Sequence, residues 1–273
     1  MIKFDGRNFH KNKICGYYIS YIEMERMTAD LVKDYDATLF TNPKAIDAED
    51  FLLNYLNATE VDYQHIYPDE DGIILGCTIF DESLLPVYNK DQSKKEYIHY
   101  DPRSVIIDRS LVEGNRIIQN SITTLHEGGH LWLHESIYAG SKDQLMINNQ
   151  NGYIACHRME TSDDAYNQYP DAEKWLERQA TWFAVTLALP NESLQIETID
   201  LFRKNGIKED TLIYDTTENN ELAKNIIPAE LSKIYKMSKE AIYYRLQKTE
   251  LYTTEEEYNA KRAQISFFDM NIL

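Results

Sequence analysis

Thr123-Thr124-Leu125-His126-Glu127-Gly128-Gly129-His130-Leu131-Trp132-Leu133-His134 is the stretch on which the reading of this 273-residue chain turns. It contains a complete H-E-x-x-H. On a helix, positions i and i+4 share one face a turn apart, so His126 and His130 can present two imidazoles to a single metal ion. Glu127 lies beside that face, where a carboxylate reaches a water on the metal and can take its proton. Zinc-dependent peptide hydrolysis needs this combination of nitrogen ligands and a base. Gly128 and Gly129 each cost a helix about 1 kcal/mol relative to alanine. Two in succession predict that something passes close to the backbone between the histidines.

Upstream, Gly114-Asn115 punctuates the chain, and Asn115 can cap the helix that follows. Ile118, Ile122, Leu125, Gly129 and Trp132 line one face of it; Thr123, His126, Glu127, His130 and His134 line another. Before the helix, Gly72–Phe80, Leu85–Tyr88 and Ser104–Asp108 are short, β-rich and bounded by turn residues. Asp91–Glu96 reads as a charged hairpin tip. These segments predict a small, mainly antiparallel sheet, with Gly72–Phe80 or a neighbour as an edge strand that pairs with an extended substrate. Further upstream, Ile22, Met24, Met27, Leu31 and Val32 recur at helical spacing, and Ile46–Leu56 repeats the pattern with Phe51, Leu52 and Leu53 buried. Residues 1–20 resist assignment.

Downstream, residues 139–170 read as loop containing a polar cluster, Cys156-His157-Arg158. Asp171–Leu189 is a strong helical pattern ending at Pro190. Residues 192–222 are acidic and weakly patterned. Ala229–Leu246 reads as a helix, a tight turn at Lys236-Met237 and a second helix capped by Ser238. Lys233, Lys236, Lys239, Arg245 and Lys248 outnumber Glu230 and Glu240, making this segment locally basic. A DNA-reading helix is one interpretation; a helical hairpin that docks a protein substrate is the other.

Composition favours the second. The net charge of −17 repels DNA phosphates and anionic membranes. A hydrophobic fraction of 43%, with 20 tyrosines, supplies a core and argues against disorder. Cys15, Cys77 and Cys156 are scattered and show no C-x-x-C spacing, so they form no disulfide framework. The first ten residues lack an apolar core of signal-peptide length, and no run approaches a membrane span. A reduced, soluble, cytoplasmic protein is expected.

A catalytic zinc takes three protein ligands and leaves one position open. In the pattern H-E-x-x-H-x-x-G-x-x-H the third histidine would fall at Ser136, and Leu133 stands where glycine is required. The remaining common solution is a glutamate from a second helix. Glu177, among Trp175, Leu176, Ala180 and Phe183, is the first candidate, and Glu173 is its rival. His134 continues the i+4 ladder. His10, His65 and His99 read as surface residues.

In combination, these segments resemble the ImmA/IrrE metallopeptidases, gluzincin-like enzymes that cleave helix–turn–helix repressors. Val105–Asp108 is similar to the family's strand before the metal helix. Thr123–His134 resembles its T-x-x-H-E-x-G-H-x-x-x-H, and Trp175–Ala184 with Leu189-Pro190 resembles its W-x-E-x-Q-A-N-x-F-A…L-x-P helix. Leu231–Leu246 resembles its helical follow-on. The resemblance implies an α+β fold: a zincin-like metallopeptidase domain over 21–195 and a helix-turn-helix-like subdomain over 196–251. An N-terminal extension over 1–20 and a tail over 252–273 complete the chain. It also implies one zinc ion (manganese being the alternative in the cell) held by His126, His130 and Glu177, with Glu127 as general base and a transcriptional repressor as substrate. Thr181 stands where the family usually has Asn or Asp, and Gly128 is smaller than usual. His134, Thr181 and His157 are the candidates for contacts behind the ligands or to substrate. The functional alternatives are a non-catalytic scaffold that acts through its helix-turn-helix, and a metal-dependent sensor that sequesters its partner uncut.

Overall fold

The computed structural model describes residues 1–12, 16–69, 72–89, 91, 93–114, 116–138, 152–157 and 172–270, with backbone alone for 11, 12, 156, 157, 172, 173 and 263–270. It is an α+β protein with a small mixed sheet, and the chain forms two units. The first contains Met1–Ala37 and Ile46–Ala188; the second contains Thr38–Ala45 and Leu189–Leu273. Asn115, Cys15, Arg158, most of 139–170 and the side chains of Glu173, Cys156 and His157 lie outside the described residues. Among the described residues, no helix is long and apolar enough to cross a membrane.

In the first unit, β1 (Lys11–Asn12) and β2 (Gly16–Tyr17) pair antiparallel. Ser20 then opens α1 (Tyr21–Asp36) with a capping box: its hydroxyl accepts from the Glu23 amide, and the Glu23 carboxylate accepts from the Ser20 amide at 2.7 Å. Met24, Thr28, Leu31 and Val32 form its buried face. Ile22, expected on that face, is 61% exposed, and Thr28 fills the stripe instead, donating to the Met24 carbonyl. Next, α2 (Ala48–Asp50), capped by Asp47, continues as one π-helical turn over Phe51–Tyr55. Phe51 and Leu52 are fully buried there, and Leu53 only partly.

Six strands follow: β3 (Glu60–Gln64), β4 (Ile74–Ile79), β5 (Ser83–Tyr88), β6 (Lys95–Tyr100), β7 (Ser104–Asp108) and β8 (Tyr153–His157). The four-stranded sheet has the order β3-β7-β4-β8, with β3 parallel to β7 and the other two ladders antiparallel. The strand β4 is therefore central, which corrects its expected role as a pairing edge: β8, from a stretch read as loop, occupies its free side. β5 and β6 form a separate hairpin. Lys95 and Glu96, expected in its tip, begin β6 instead. A register shift between Ile74 and Gly76 puts Ile74, Cys77 and Ile79 together in an apolar cluster with Leu85, Val87 and Ile106. Gly76 and Thr78 face the other way.

They face α4 (Ile117–Leu133), which follows α3 (Ser110–Glu113) and precedes α5 (Glu135–Tyr138). From Thr123 to Leu131 every residue of α4 is buried, the polar ones included. Ile118, expected on the core face, lies in the partly exposed first turns at 36%. The last helix of the unit, α6 (Ala172–Ala188), crosses α4 at Gly129, where a side-chain carbon would stand 3.1 Å from the Ala180 Cα. One at Gly128 would stand 2.7 Å from the Leu52 Cδ1. The paired glycines thus admit close neighbours on two sides of the helix.

The second unit begins with α7 (Asn191–Lys204), inside the stretch whose pattern is too weak to assign from sequence. β9 (Leu212–Ile213) pairs parallel with β10 (Tyr252–Thr253). Between them, α8 (Ile227–Tyr235) and α9 (Lys239–Gln247) form the expected helical hairpin, and α10 (Glu255–Met270) follows. The turn is made by Lys236 in the left-handed region, φ 52°, and Ser238 caps α9 by accepting from the Ala241 amide at 3.1 Å. Leu194, Phe202, Leu231, Ile242 and Leu246 are fully buried.

Candidate metal centre

Burying a polar side chain is unfavourable unless something compensates it. Helix α4 and its C-cap residue bury four along one side: His126, Glu127, His130 and His134 are at most 7% exposed. Glu177 reaches them from α6. The His126 Nε2 lies 3.0 Å from Glu177 Oε2, and the His130 Nε2 lies 3.1 Å from Glu177 Oε1 and 3.1 Å from His126 Nε2. Three donor atoms on an ion at ordinary zinc distances would stand about 3.3 Å apart. Two imidazole nitrogens and a carboxylate at 3.0–3.1 Å therefore fit a metal ion with little adjustment, and this group could hold one. Burial works to raise the Glu177 carboxyl, but the His130 charge and the hydrogen bonds from both histidines prevail and hold it far below the usual carboxylate range. Glu177 is thus an anion, as a ligand must be.

Glu127 is fully buried beside this group and seated by the sheet. Thr78 Oγ1 donates to Glu127 Oε2 at 2.7 Å. Gly76 leaves room for the carboxylate, since a side-chain carbon there would stand 2.5 Å from Glu127 Oε1. That oxygen is buried and has no hydrogen-bond partner. Burial raises the Glu127 carboxyl above the ordinary range, against the lowering effect of the His130 and His126 charges and the Thr78 hydrogen bond. A carboxylate with one oxygen held and the other bare, and with raised basicity, is equipped to accept a proton.

The remaining candidates separate clearly. Thr181 Oγ1 lies 3.4 Å from His126 Nδ1, the ring nitrogen that does not face Glu177. His134 is 1% exposed and sits behind His130, Nδ1 to Nδ1 at 2.9 Å, on the side of that ring away from Glu177. Burial, followed by the His130 charge, pushes its pKa down to about 3, which leaves the imidazole neutral. His10 and His99 are exposed, and His65 lies 3.5 Å from Glu113; none of them joins the group. Cys77 is buried in the sheet core.

Gly76, Thr78 and Gln179 were not among the residues singled out from sequence. Gln179 stands inside the helix pattern that carries Glu177, so its position was visible but its partner was not. The other two act across a strand–helix contact that no local pattern announces. No family model matches the chain, and no curated protein matches it.

Proposed function

We propose that the chain is a zinc metallo-endopeptidase of the ImmA/IrrE type, with a zincin-like catalytic unit. What carries this reading is the convergence of His126, His130 and Glu177 beside a buried glutamate whose Oε1 has no partner. Two imidazoles and one carboxylate suit zinc better than manganese, which favours oxygen donors. Zinc held there supplies Lewis acidity toward a peptide carbonyl and makes water more acidic. Glu127 takes the proton of the attacking water at Oε1 as the water oxygen bonds to the scissile carbonyl carbon. It then delivers that proton to the leaving amine nitrogen as the C–N bond breaks. Thr78 holds the other carboxylate oxygen throughout, so a single oxygen does the proton work. Among the described residues β8 is the sheet edge next to β4, and an extended substrate would pair there.

The substrate in this reading is a helix–turn–helix repressor, on the sequence resemblance. The hairpin of α8 and α9 favours a second reading, a non-catalytic regulator acting through that motif. The two part company in one assay. Purified zinc-loaded wild type and Glu127→Gln are each incubated with a candidate repressor. The peptidase reading expects cleavage by wild type and a loss of about 10²–10⁴-fold in the variant, with zinc retained in both. Repressor bound but uncut by wild type would favour the regulator.

A further inference from the structure

A chain of hydrogen bonds runs back from the metal centre, and its protons can be assigned from the far end. The Tyr17 main-chain carbonyl can only accept, so the Gln179 side-chain atom 2.6 Å away is the amide nitrogen, donating. The Gln179 Oε1 is then the atom 3.0 Å from His134 Nε2. An amide oxygen accepts, so His134 carries its proton on Nε2. His134 is enclosed with an amide oxygen and an imidazole as its side-chain partners and no carboxylate to hold a second proton, so its one ring proton is the one on Nε2 and its Nδ1 is bare. That nitrogen lies 2.9 Å from His130 Nδ1, which must therefore hold a proton and donate it. That leaves Nε2, which faces Glu177 and His126, as the His130 nitrogen that would give up its proton to a metal ion. One backbone carbonyl thus dictates the form of an imidazole three groups away.

Resting on the metal centre of the function proposed above, we propose that His134 and Gln179 are positioning residues, a buried relay anchored on the Tyr17 carbonyl that fixes His130 in its metal-binding tautomer and so sets the affinity of the site. The relay is fully enclosed: His134 and Gln179 are each 1% exposed and His130 is 0%. Water therefore cannot take over for a missing member. Trp175 Nε1 also donates to the Tyr17 carbonyl, at 3.2 Å, which holds the anchor from a second direction.

The test is zinc affinity of the full chain, measured by competition with a chromogenic chelator. Gln179→Met keeps the shape and removes both hydrogen bonds; His134→Phe removes the acceptor for His130. Each should weaken zinc binding about 10–100-fold. The double variant should be no weaker than the worse single, because both break one chain. Gln179→Glu keeps an oxygen opposite His134 and should stay within a few-fold of wild type. Wild-type zinc binding with Gln179→Met within about twofold of it, or losses that add in the double variant, would overturn the relay alone. Failure of wild type to take up zinc would overturn the metal centre and the relay with it. Imidazole nitrogen NMR of the metal-free wild type gives an answer that needs no variant to fold. Protons on His130 Nδ1 and His134 Nε2 are expected, and the opposite placement would overturn the assignment.

Discussion

At the scale of single residues, the sheet does as much for Glu127 as the helix that carries it. Gly76 leaves the space that the carboxylate fills, and Thr78 ties down one of its oxygens. Gly76→Ala would force Glu127 Oε1 away from a methyl group 2.5 Å distant. Zinc content should be unchanged while repressor cleavage falls about 10²-fold, since displacements near 1 Å cost that much. Loss of zinc together with activity would mean that the glycine shapes the whole site. Thr78→Val leaves a buried carboxylate oxygen without its donor and should lower the unfolding free energy by about 1–3 kcal/mol, with Thr78→Ser restoring most of it, as read by urea denaturation. His126, Glu127 and His130 were legible from one turn of one helix. Glu177 was not fixed by local pattern, because Glu173 offered the same chemistry one turn earlier, and the resemblance selected it. Gly76 and Thr78 were illegible because the register shift that turns them toward α4 is a property of paired strands.

At the scale of elements, the approach of α4 and α6 depends on Gly129. Gly129→Val would place methyl groups against Ala180 and Phe183, both in contact range of the first carbon added. Overpacking of this kind costs about 1–3 kcal/mol. Because α6 carries Glu177, the variant should also bind zinc more weakly, which chelator competition would register. A second contact joins the four-stranded sheet to the β5–β6 hairpin. Asp62 on β3 accepts from Tyr100 on β6 at 2.6 Å and from Gln64 at 2.8 Å. Burial works to raise the Asp62 carboxyl, but the Gln64 and Tyr100 hydrogen bonds, with help from the Tyr63 amide and the Arg109 charge, hold it below its ordinary value. A depressed carboxyl stabilises fully above its unfolded pKa of about 3.9 and loses that contribution as pH falls through the folded value. Denaturant midpoints measured from pH 6 to pH 3 should therefore fall less steeply in Asp62→Asn than in wild type. Of these elements, the long amphipathic helices were readable from spacing. β3 was hidden by its polar make-up, Glu60-Val-Asp-Tyr-Gln64, and β8 by its short run in a stretch rich in turn residues.

At the scale of the whole molecule, charge argues against a nucleic-acid role for the helical hairpin. The chain carries −17 overall, and the local basic excess of α8 and α9 shrinks in the folded protein. Lys233 pairs with Glu230 at 2.6 Å, and Arg245 is 1% exposed, hence unable to reach a phosphate. Fluorescence anisotropy with a mixed-sequence DNA duplex at physiological salt should show no saturable binding; binding that weakens steeply with added salt would revive the DNA-reading interpretation. The hairpin itself was legible from its turn and its Ser238 cap. The grouping of Thr38–Ala45 with the C-terminal residues was not, because it joins segments some 150 residues apart in sequence without a local marker.

The metal centre is tested most directly by metal content. Wild type and Glu177→Ala are loaded with zinc, freed of excess by gel filtration and analysed by native mass spectrometry. One zinc per chain in wild type and none retained by Glu177→Ala is the predicted result, since two histidines on one helix turn are an incomplete ligand set for a catalytic zinc. A wild type without zinc, or a variant that keeps it as well as wild type does, would contradict a site built from His126, His130 and Glu177.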